Sequence, residues 1–269
     1  MKFITSRDNA FFKQLIRLAG SAQERKTAGL TLLDGIHLIS AYRRALGEPK
    51  WLIVSETGWD SSEIKRLLVE EEGKTGTKAI MLPNGLFQAA SPVKTPTGIM
   101  ALVSVPKAED IPVRASGREA SFSVLLEAMQ NPGNLGSILR SAAAAGASDA
   151  YLSEGCADAW SPATLRAAMG AHFLLRIHEQ SDLAHIASTF DGKVIATSLQ
   201  AKMSLYETTL TGPVAFVFGN EGAGLSEKIL AMASEHVVIP MPGGTESLNA
   251  AAAAAICFFE RVRQAGSTP

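Results

Sequence analysis

From residue 122 onward the chain repeats one pattern: a short, almost wholly apolar run, then a longer polar or helical stretch, then another apolar run. The runs are Phe122–Glu127 (FSVLLE), Asp149–Leu152, Phe173–Ile177, Lys193–Ala196, Val214–Phe218 and His236–Ile239. A run this short, apolar at successive and not alternate positions, suits a strand buried on both faces. Helices must then cover the sheet above and below, which is the arrangement of parallel strands joined by crossover helices. The pattern predicts a doubly wound α/β domain, whose ligands bind beyond the carboxyl ends of its strands.

Three of the strand exits carry unusual polar residues. After FSVLLE comes QNPGNLGSILR (130–140), then SAAAAGA. Pro132 and Gly133 suit a turn, and Asn134 is expected to cap a helix reaching about Ala145. Arg140, six residues on, would project from the second turn of that helix. No GxGxxG is present, and no acidic residue ends the following strand, so a dinucleotide fold has no support here. Taken alone, this exit reads as a capped helix. The second exit, FGNEGAGLS (218–226), places Gly219, Gly222 and Gly224 around Asn220 and Glu221. Glycines allow close backbone approach to a ligand, and they serve a purely structural loop equally well. The third, PMPGGTESLN (240–249), sets Thr245, Glu246, Ser247 and Asn249 before six alanines. Three such exits converging on one rim would make a site that none of them makes alone.

The first half of the chain differs in composition. The stretch VPKAEDIPVRASGREAS (105–121) has no apolar periodicity and reads as a linker, set at 108–119 between units 1–107 and 120–269. Before it, Phe11, Phe12, Leu15 and Ile16 recur at helical spacing, with Lys13 and Arg17 on the opposite face. A helix over 36–46 and strands at Trp51–Val54, Lys78–Leu82 and Gly98–Ser104 complete a small α/β unit. Residues 1–107 carry a formal charge of +5 and residues 108–269 carry −6. That asymmetry fits a polyanionic partner for the N-terminal unit, or a solvated basic surface. A hydrophobic content of 46% with 19% charged residues describes a globular chain, and no apolar run has the length of a membrane span. The N-terminus turns polar within five residues, unlike a secretory signal. Cys156 and Cys257 are therefore expected to be reduced, in a cytoplasmic protein. No CxxC, CxxH or HExxH pattern offers a metal site.

NPGNLGSILRSAAAAGA, FVFGNEGAGLS and IPMPGGTESLNAAAAAAICFFE resemble, in that order, the three motifs of the SpoU (TrmH-type) RNA ribose 2′-O-methyltransferases of the SPOUT superfamily. SPATLRAAMGAHFLLRI (161–177) is similar to the segment between the first two, so the resemblance spans 120–263. Residues 9–46 more weakly resemble the family's L30e-like N-terminal domain, with Asp34-Gly35 where relatives commonly have Glu-Gly. The resemblance implies a deep trefoil knot in the C-terminal unit, a homodimer, and S-adenosylmethionine as cofactor. Periodicity alone would never suggest a knot, which is nearly absent from protein folds. Carried over by motif, the catalytic set is Asn134, Arg140, Glu221, Ser247 and Asn249. The cofactor would meet Gly219, Asn220, Gly222, Ile239, Met241, Gly243, Ser247 and Leu248, largely through backbone groups. RNA would meet Lys13, Arg17, Arg25 and Lys26. The separate N-terminal unit favours ribosomal over transfer RNA. The alternatives are a transfer RNA substrate or an RNA-binding relative that has lost catalysis.

Overall fold

The computed structural model describes residues 1–72, 77–93, 95–111 and 121–266. Most of the expected linker, residues 112–119, lies outside these; Ala108–Asp110 form one 3-10 turn.

The N-terminal sheet holds β1 (Lys2–Phe3), β2 (Leu30–Asp34), β3 (Trp51–Ser55), β4 (Lys78–Leu82) and β5 (Ile99–Ser104), in the order β1-β4-β3-β5-β2. β1, β4 and β3 run parallel, while β5 is antiparallel to both β3 and β2. Its helices are α1 (Ala10–Gly20), α2 (Ala22–Ala28), α3 (Ile36–Leu46), α4 (Glu56–Trp59), α5 (Ser62–Glu72) and α6 (Asn84–Ala90). Successive strand residues point to opposite faces, so Leu32, Ile53 and Met100 bury against Phe12, Leu15 and Leu18 of α1 and Phe87 of α6. Leu33, Leu52 and Ala101 face the other way, toward Leu38, Ile39 and Ile64 of α3 and α5.

The second sheet holds β6 (Phe122–Leu126), β7 (Asp149–Leu152), β8 (Arg176–His178), β9 (Lys193–Thr197), β10 (Met203–Ser204), β11 (Val214–Phe218) and β12 (Glu235–Val238). All its pairs are parallel, in the order β10-β12-β9-β11-β6-β7-β8. The expected α/β class with a parallel sheet is therefore observed. The helices are α7 (Pro132–Ala144), α8 (Pro162–Ala168), α9 (Leu183–Thr189), α10 (Glu227–Met232) and α11 (Ala250–Gln264). Leu125, Ala215 and Val217 pack on α9 and α10, and Val124, Leu126, Phe216 and Phe218 pack on the opposite face. There Phe258 of α11 sits 5.4 to 5.9 Å from the rings of Phe122, Phe216 and Phe218. Gly136 of α7 is obligatory, because a Cβ there would come within 2.5 Å of the Thr164 carbonyl oxygen of α8.

One apolar cluster runs through both sheets. At the junction Tyr42 meets Phe173 edge-on at 5.3 Å, and the Thr31 hydroxyl donates to the Trp160 carbonyl at 2.7 Å. Arg25 completes it. Its guanidinium is buried, donating through Nε to Asp158 at 2.8 Å and through Nη1 to the Leu18 carbonyl at 2.6 Å.

The structure corrects several expectations. The cap of α7 is Asn131, whose Oδ1 accepts from the N–H groups of Gly133 and Asn134; Asn134 lies inside the first turn. Pro132 at the first helical position, where its missing N–H costs nothing, fixes that start. The strand expected over 173–177 begins only at Arg176, because Met169 and Gly170 adopt positive φ and lead into a 3-10 turn that buries Phe173. Ile16 is exposed; α1 buries Phe12, Leu15 and Leu18 instead. The short strands β1 and β10, and also β2, have no counterpart among the expected elements.

His172, in that 3-10 turn, is wholly buried beside Trp160, with Nε2 2.6 Å from the Ala159 carbonyl. Burial pushes its pKa down from 6.5 to about 4, opposed by the Ala159 hydrogen bond. Between those values the unfolded chain binds a proton that the folded chain refuses, so stability is lost as pH falls through 6.5 toward 4. The contribution is on the order of 3 kcal/mol across that window. Denaturant melts of wild type and His172→Gln at pH 7 and pH 4.5 should show a smaller acid loss in the variant.

Candidate active site

Four adjacent strands of the second sheet, β12, β9, β11 and β6, are followed by segments that gather around one cavity of about 460 Å³. Its wall takes Asn134 from the start of α7, Thr197 to Leu199 at the end of β9, Phe218 to Gly222 with Gly224 and Leu225 at the end of β11, and Ile239, Met241 and Ser247 to Asn249 after β12. Backbone geometry holds the exits together. A Cβ on Gly219 would lie 2.2 Å from the backbone of Gly224, so only glycine lets the loop fold back on itself. Asn220 closes that loop by accepting from the N–H groups of Gly222 and Ala223 through Oδ1. Its Nδ2 donates to the carbonyl of Ala128, a non-glycine residue at φ +49°. Strain of this kind is kept only where the surroundings over-determine it.

A single chain of side-chain hydrogen bonds ties three exits together. Glu221 Oε1 accepts from Asn134 Nδ2 at 3.0 Å and from the Asn131 N–H at 3.2 Å; Oε2 accepts from the Gln130 N–H at 3.3 Å. Asn134 Oδ1 accepts from Asn249 Nδ2 at 2.9 Å. Asn249 Oδ1 then caps α11, accepting from Ala251 and Ala252. An ionised carboxylate can only accept, so Asn134 must turn its amide nitrogen to Glu221 and its oxygen to Asn249. That choice forces Asn249 to aim its own oxygen at the helix. Partial burial raises the Glu221 pKa, but the N–H groups donated by Asn134, Asn131 and Gln130 hold it below the ordinary glutamate value. The carboxylate thus stays ionised at neutral pH and the polarity of the chain is fixed.

Comparison with known proteins gives this geometry a family. Residues 121–259 match the SpoU rRNA Methylase family. The chain belongs to that family. Its SpoU relatives include RlmP of Bacillus subtilis, a 23S rRNA (guanosine(2553)-2'-O)-methyltransferase, at 31% identity over 96% of this chain and 98% of the relative. An uncharacterized tRNA/rRNA methyltransferase of Synechocystis is 32% identical over 99% of this chain and 96% of its own. Among solved structures, the SpoU methyltransferase AviRb from Streptomyces viridochromogenes superposes with a TM-score of 0.81, at 30% identity, over 96% of this chain and 98% of that one. A further structure of AviRb contains the cofactor AdoMet, with a TM-score of 0.80 and 30% identity over 95% and 98% of the two chains.

The SpoU motif residues fall into place unevenly. Asn134, Glu221, Ser247 and Asn249 line the cavity, as do Gly219, Asn220, Gly222, Ile239, Met241 and Leu248. Gly243 does not line it, and neither does Arg140, which is exposed on α7 and makes no hydrogen bond or ion pair among the described residues. Arg25 corrects the expectation of an RNA contact, since its fork is consumed by Asp158 and Leu18 inside the molecule. Lys13 pairs with Asp8 at 3.0 Å, Arg17 lies 3.4 Å from Glu24, and Lys26 donates to Gln180 at 2.9 Å. Sequence reasoning missed Asn131 and the Thr197–Leu199 segment. The Asn-Pro pair is a helix-start signal that points to Asn131, and the β9 exit is as natural a ligand position as the other three.

Replacing Asn134 by Asp would set a second carboxylate about 3 Å from Glu221 and remove its donor. Asn134→Asp should lose on the order of 1 kcal/mol at pH 8 and recover it near pH 4, where one carboxyl is protonated. Melting temperature against pH reads this directly; equal melting of wild type and variant at pH 8 would show that the hydrogen-bond chain contributes nothing.

Proposed function

We propose that the chain is an RNA methyltransferase that moves a methyl group from S-adenosylmethionine to a ribose 2′-oxygen of ribosomal RNA. The observation that carries this reading is the cavity at four parallel strand exits, locked by Glu221, Asn134 and Asn249 from the three family motifs. Both its relative RlmP and its structural neighbour AviRb are 2′-O- or SpoU methyltransferases, which favours RNA modification over mere RNA binding.

The cavity suits the cofactor. Leu199, Ile239, Met241 and Leu248 offer apolar walls for a flat base, and the glycine loop 219–224 offers backbone groups rather than side chains. The Glu221 carboxylate on the rim disfavours a phosphate and tolerates a cation. When bound, S-adenosylmethionine would supply a methyl group on a positively charged sulfur: the 2′-oxygen takes the methyl in line as the C–S bond breaks, S-adenosylhomocysteine leaves, and the hydroxyl proton passes to solvent. The residues of this chain do the rest. Asn134, Ser247 and Asn249 orient the ribose at the rim, with Glu221 holding Asn134 in one amide orientation. Arg140 grips an adjacent phosphate and stabilises the negative charge that grows on the 2′-oxygen, because a guanidinium is a fork of donors and a poor base.

Arg140 lies outside the cavity wall of its own copy. This supports a homodimer in which RNA spans two copies. Phe259 of α11, half exposed, and the half-buried alanines Ala251 and Ala255 offer such a partner a close-packing face. The family resemblance adds a trefoil knot in the C-terminal unit and an L30e-like N-terminal unit (1–107) that contacts RNA, with Lys13, Arg17 and Lys26 on its surface. Among the described residues no helix is long and apolar enough to cross a membrane, and a cytoplasmic location is part of this reading.

Arg140→Ala should lose about a hundredfold to a thousandfold in single-turnover methylation, the usual cost of one preorganised charged stabiliser, with cofactor affinity intact. Arg140→Lys should also be poor, because an ammonium lacks the planar fork. Near-normal turnover in a folded Arg140→Ala protein would remove this role. Sedimentation at micromolar concentration should find a dimer; an active monomer would overturn the composite site.

A further inference from the structure

The basic side chains at the start of the sequence are largely engaged with Asp8, Glu24, Asp158 and Gln180. Two arginines elsewhere in the N-terminal unit are not. Arg44 on α3 and Arg66 on α5 are exposed and make no hydrogen bond or ion pair among the described residues. Both line a second cavity, of about 450 Å³, between those two helices.

The rest of the cleft sharpens its chemistry. Arg43 also lines it, but its Nε lies 2.9 Å from Glu48, and that half-buried pair cancels its own charge. Nη1 of Arg43 donates to the Leu67 carbonyl of α5 at 3.4 Å, a link between the two helices. Ser40, one turn before Arg43 and Arg44, supplies a neutral hydroxyl on the same wall. Among the described residues Glu63 is the one carboxylate of the cleft without such a partner, set against two unpaired guanidiniums. The balance is one net positive charge, with two planar forks and a hydroxyl among the residues that line one hollow. A phosphate diester matches that donor set, and Arg forks read phosphate oxygens better than any other side chain.

We propose that the α3–α5 cleft holds a backbone phosphate of the RNA substrate, gripped by Arg44 and Arg66 with Ser40 as the neutral donor. The proposal rests on the reading that the substrate is RNA. It adds a second RNA surface to the one that Lys13, Arg17 and Lys26 present on α1 and α2, and it makes Glu63 a brake on affinity.

The test uses the full chain and an unmodified 23S ribosomal RNA transcript, with binding measured across a salt series. Removing one phosphate-gripping cation should flatten the plot of log K against log salt by about 0.7 to 0.9. The double variant Arg44→Ala/Arg66→Ala should therefore have a slope shallower by about 1.4 to 1.8, and bind about tenfold more weakly near 0.1 M salt. Glu63→Gln should act in the opposite direction and tighten binding about twofold to threefold, an effect that fades with salt. A purely structural role for these residues would not produce changes of opposite sign. Melting temperature and S-adenosylmethionine affinity confirm that each variant is folded. An unchanged slope in the folded double variant overturns the proposal. So does saturable binding of inorganic phosphate that needs Arg44 and Arg66 while RNA affinity does not. If wild type transfers labelled methyl to the transcript and the double variant keeps its slope, only the cleft is wrong; if wild type transfers none, the functional reading itself fails.

Discussion

A carboxylate cannot donate a hydrogen bond, and the site depends on that limitation. Glu221 accepts from three donors across the gap between the β11 and β6 exits. Because it can only accept, it dictates which end of the Asn134 amide faces it, and Asn134 dictates the same for Asn249. Amide side chains are otherwise ambiguous, since nitrogen and oxygen have nearly the same shape. Here one charge orders two amides and ends at the cap of α11. The donors and acceptors left over on Asn134 and Asn249 therefore stand at fixed places on the cavity rim, before any ligand arrives. Such preorganisation is the main electrostatic resource an enzyme has.

The second constraint is mechanical. The two sheets share one apolar cluster, and their junction is closed by the buried Arg25–Asp158 pair and by Tyr42 against Phe173. Breaking a buried pair on one side is far more costly than the pair is worth, so the junction resists partial opening. The N-terminal unit is thus held in a set relation to the cavity. An RNA touching both would be measured against a rigid frame.

Much of this is legible in the sequence. The strands Lys78–Leu82, Asp149–Leu152 and Val214–Phe218 fall where unbroken apolar runs place them, and α3 spans its expected 36–46. Unbroken apolar runs are legible because burial on both faces leaves no other option. The two-residue strands β1 and β10 are too short to carry a period, and the 3-10 turn at 171–173 arises from positive φ at Met169, a residue with no local preference for it. At the site, the motif residues can be read from the sequence, but their wiring cannot. No spacing rule links Glu221 to Asn134, and nothing local shows that Arg25, on a basic helix face, turns inward to meet Asp158. Charge counts along a sequence register cations without saying which already have partners.

The hydrogen bonds that assemble the cavity rim join residues 87 and 115 positions apart in the chain. Pairings of such long sequence separation form late, because the loops they close must first be ordered. Asn249 also holds the first turn of the helix that carries Phe258 into the core. Docking of α11 and completion of the rim thus share one residue, Asn249. A growing polypeptide in which the sheet has already formed but Asn249 has not yet emerged would have the fold's strands and an unfinished cavity rim, a built-in delay between becoming structured and completing the site.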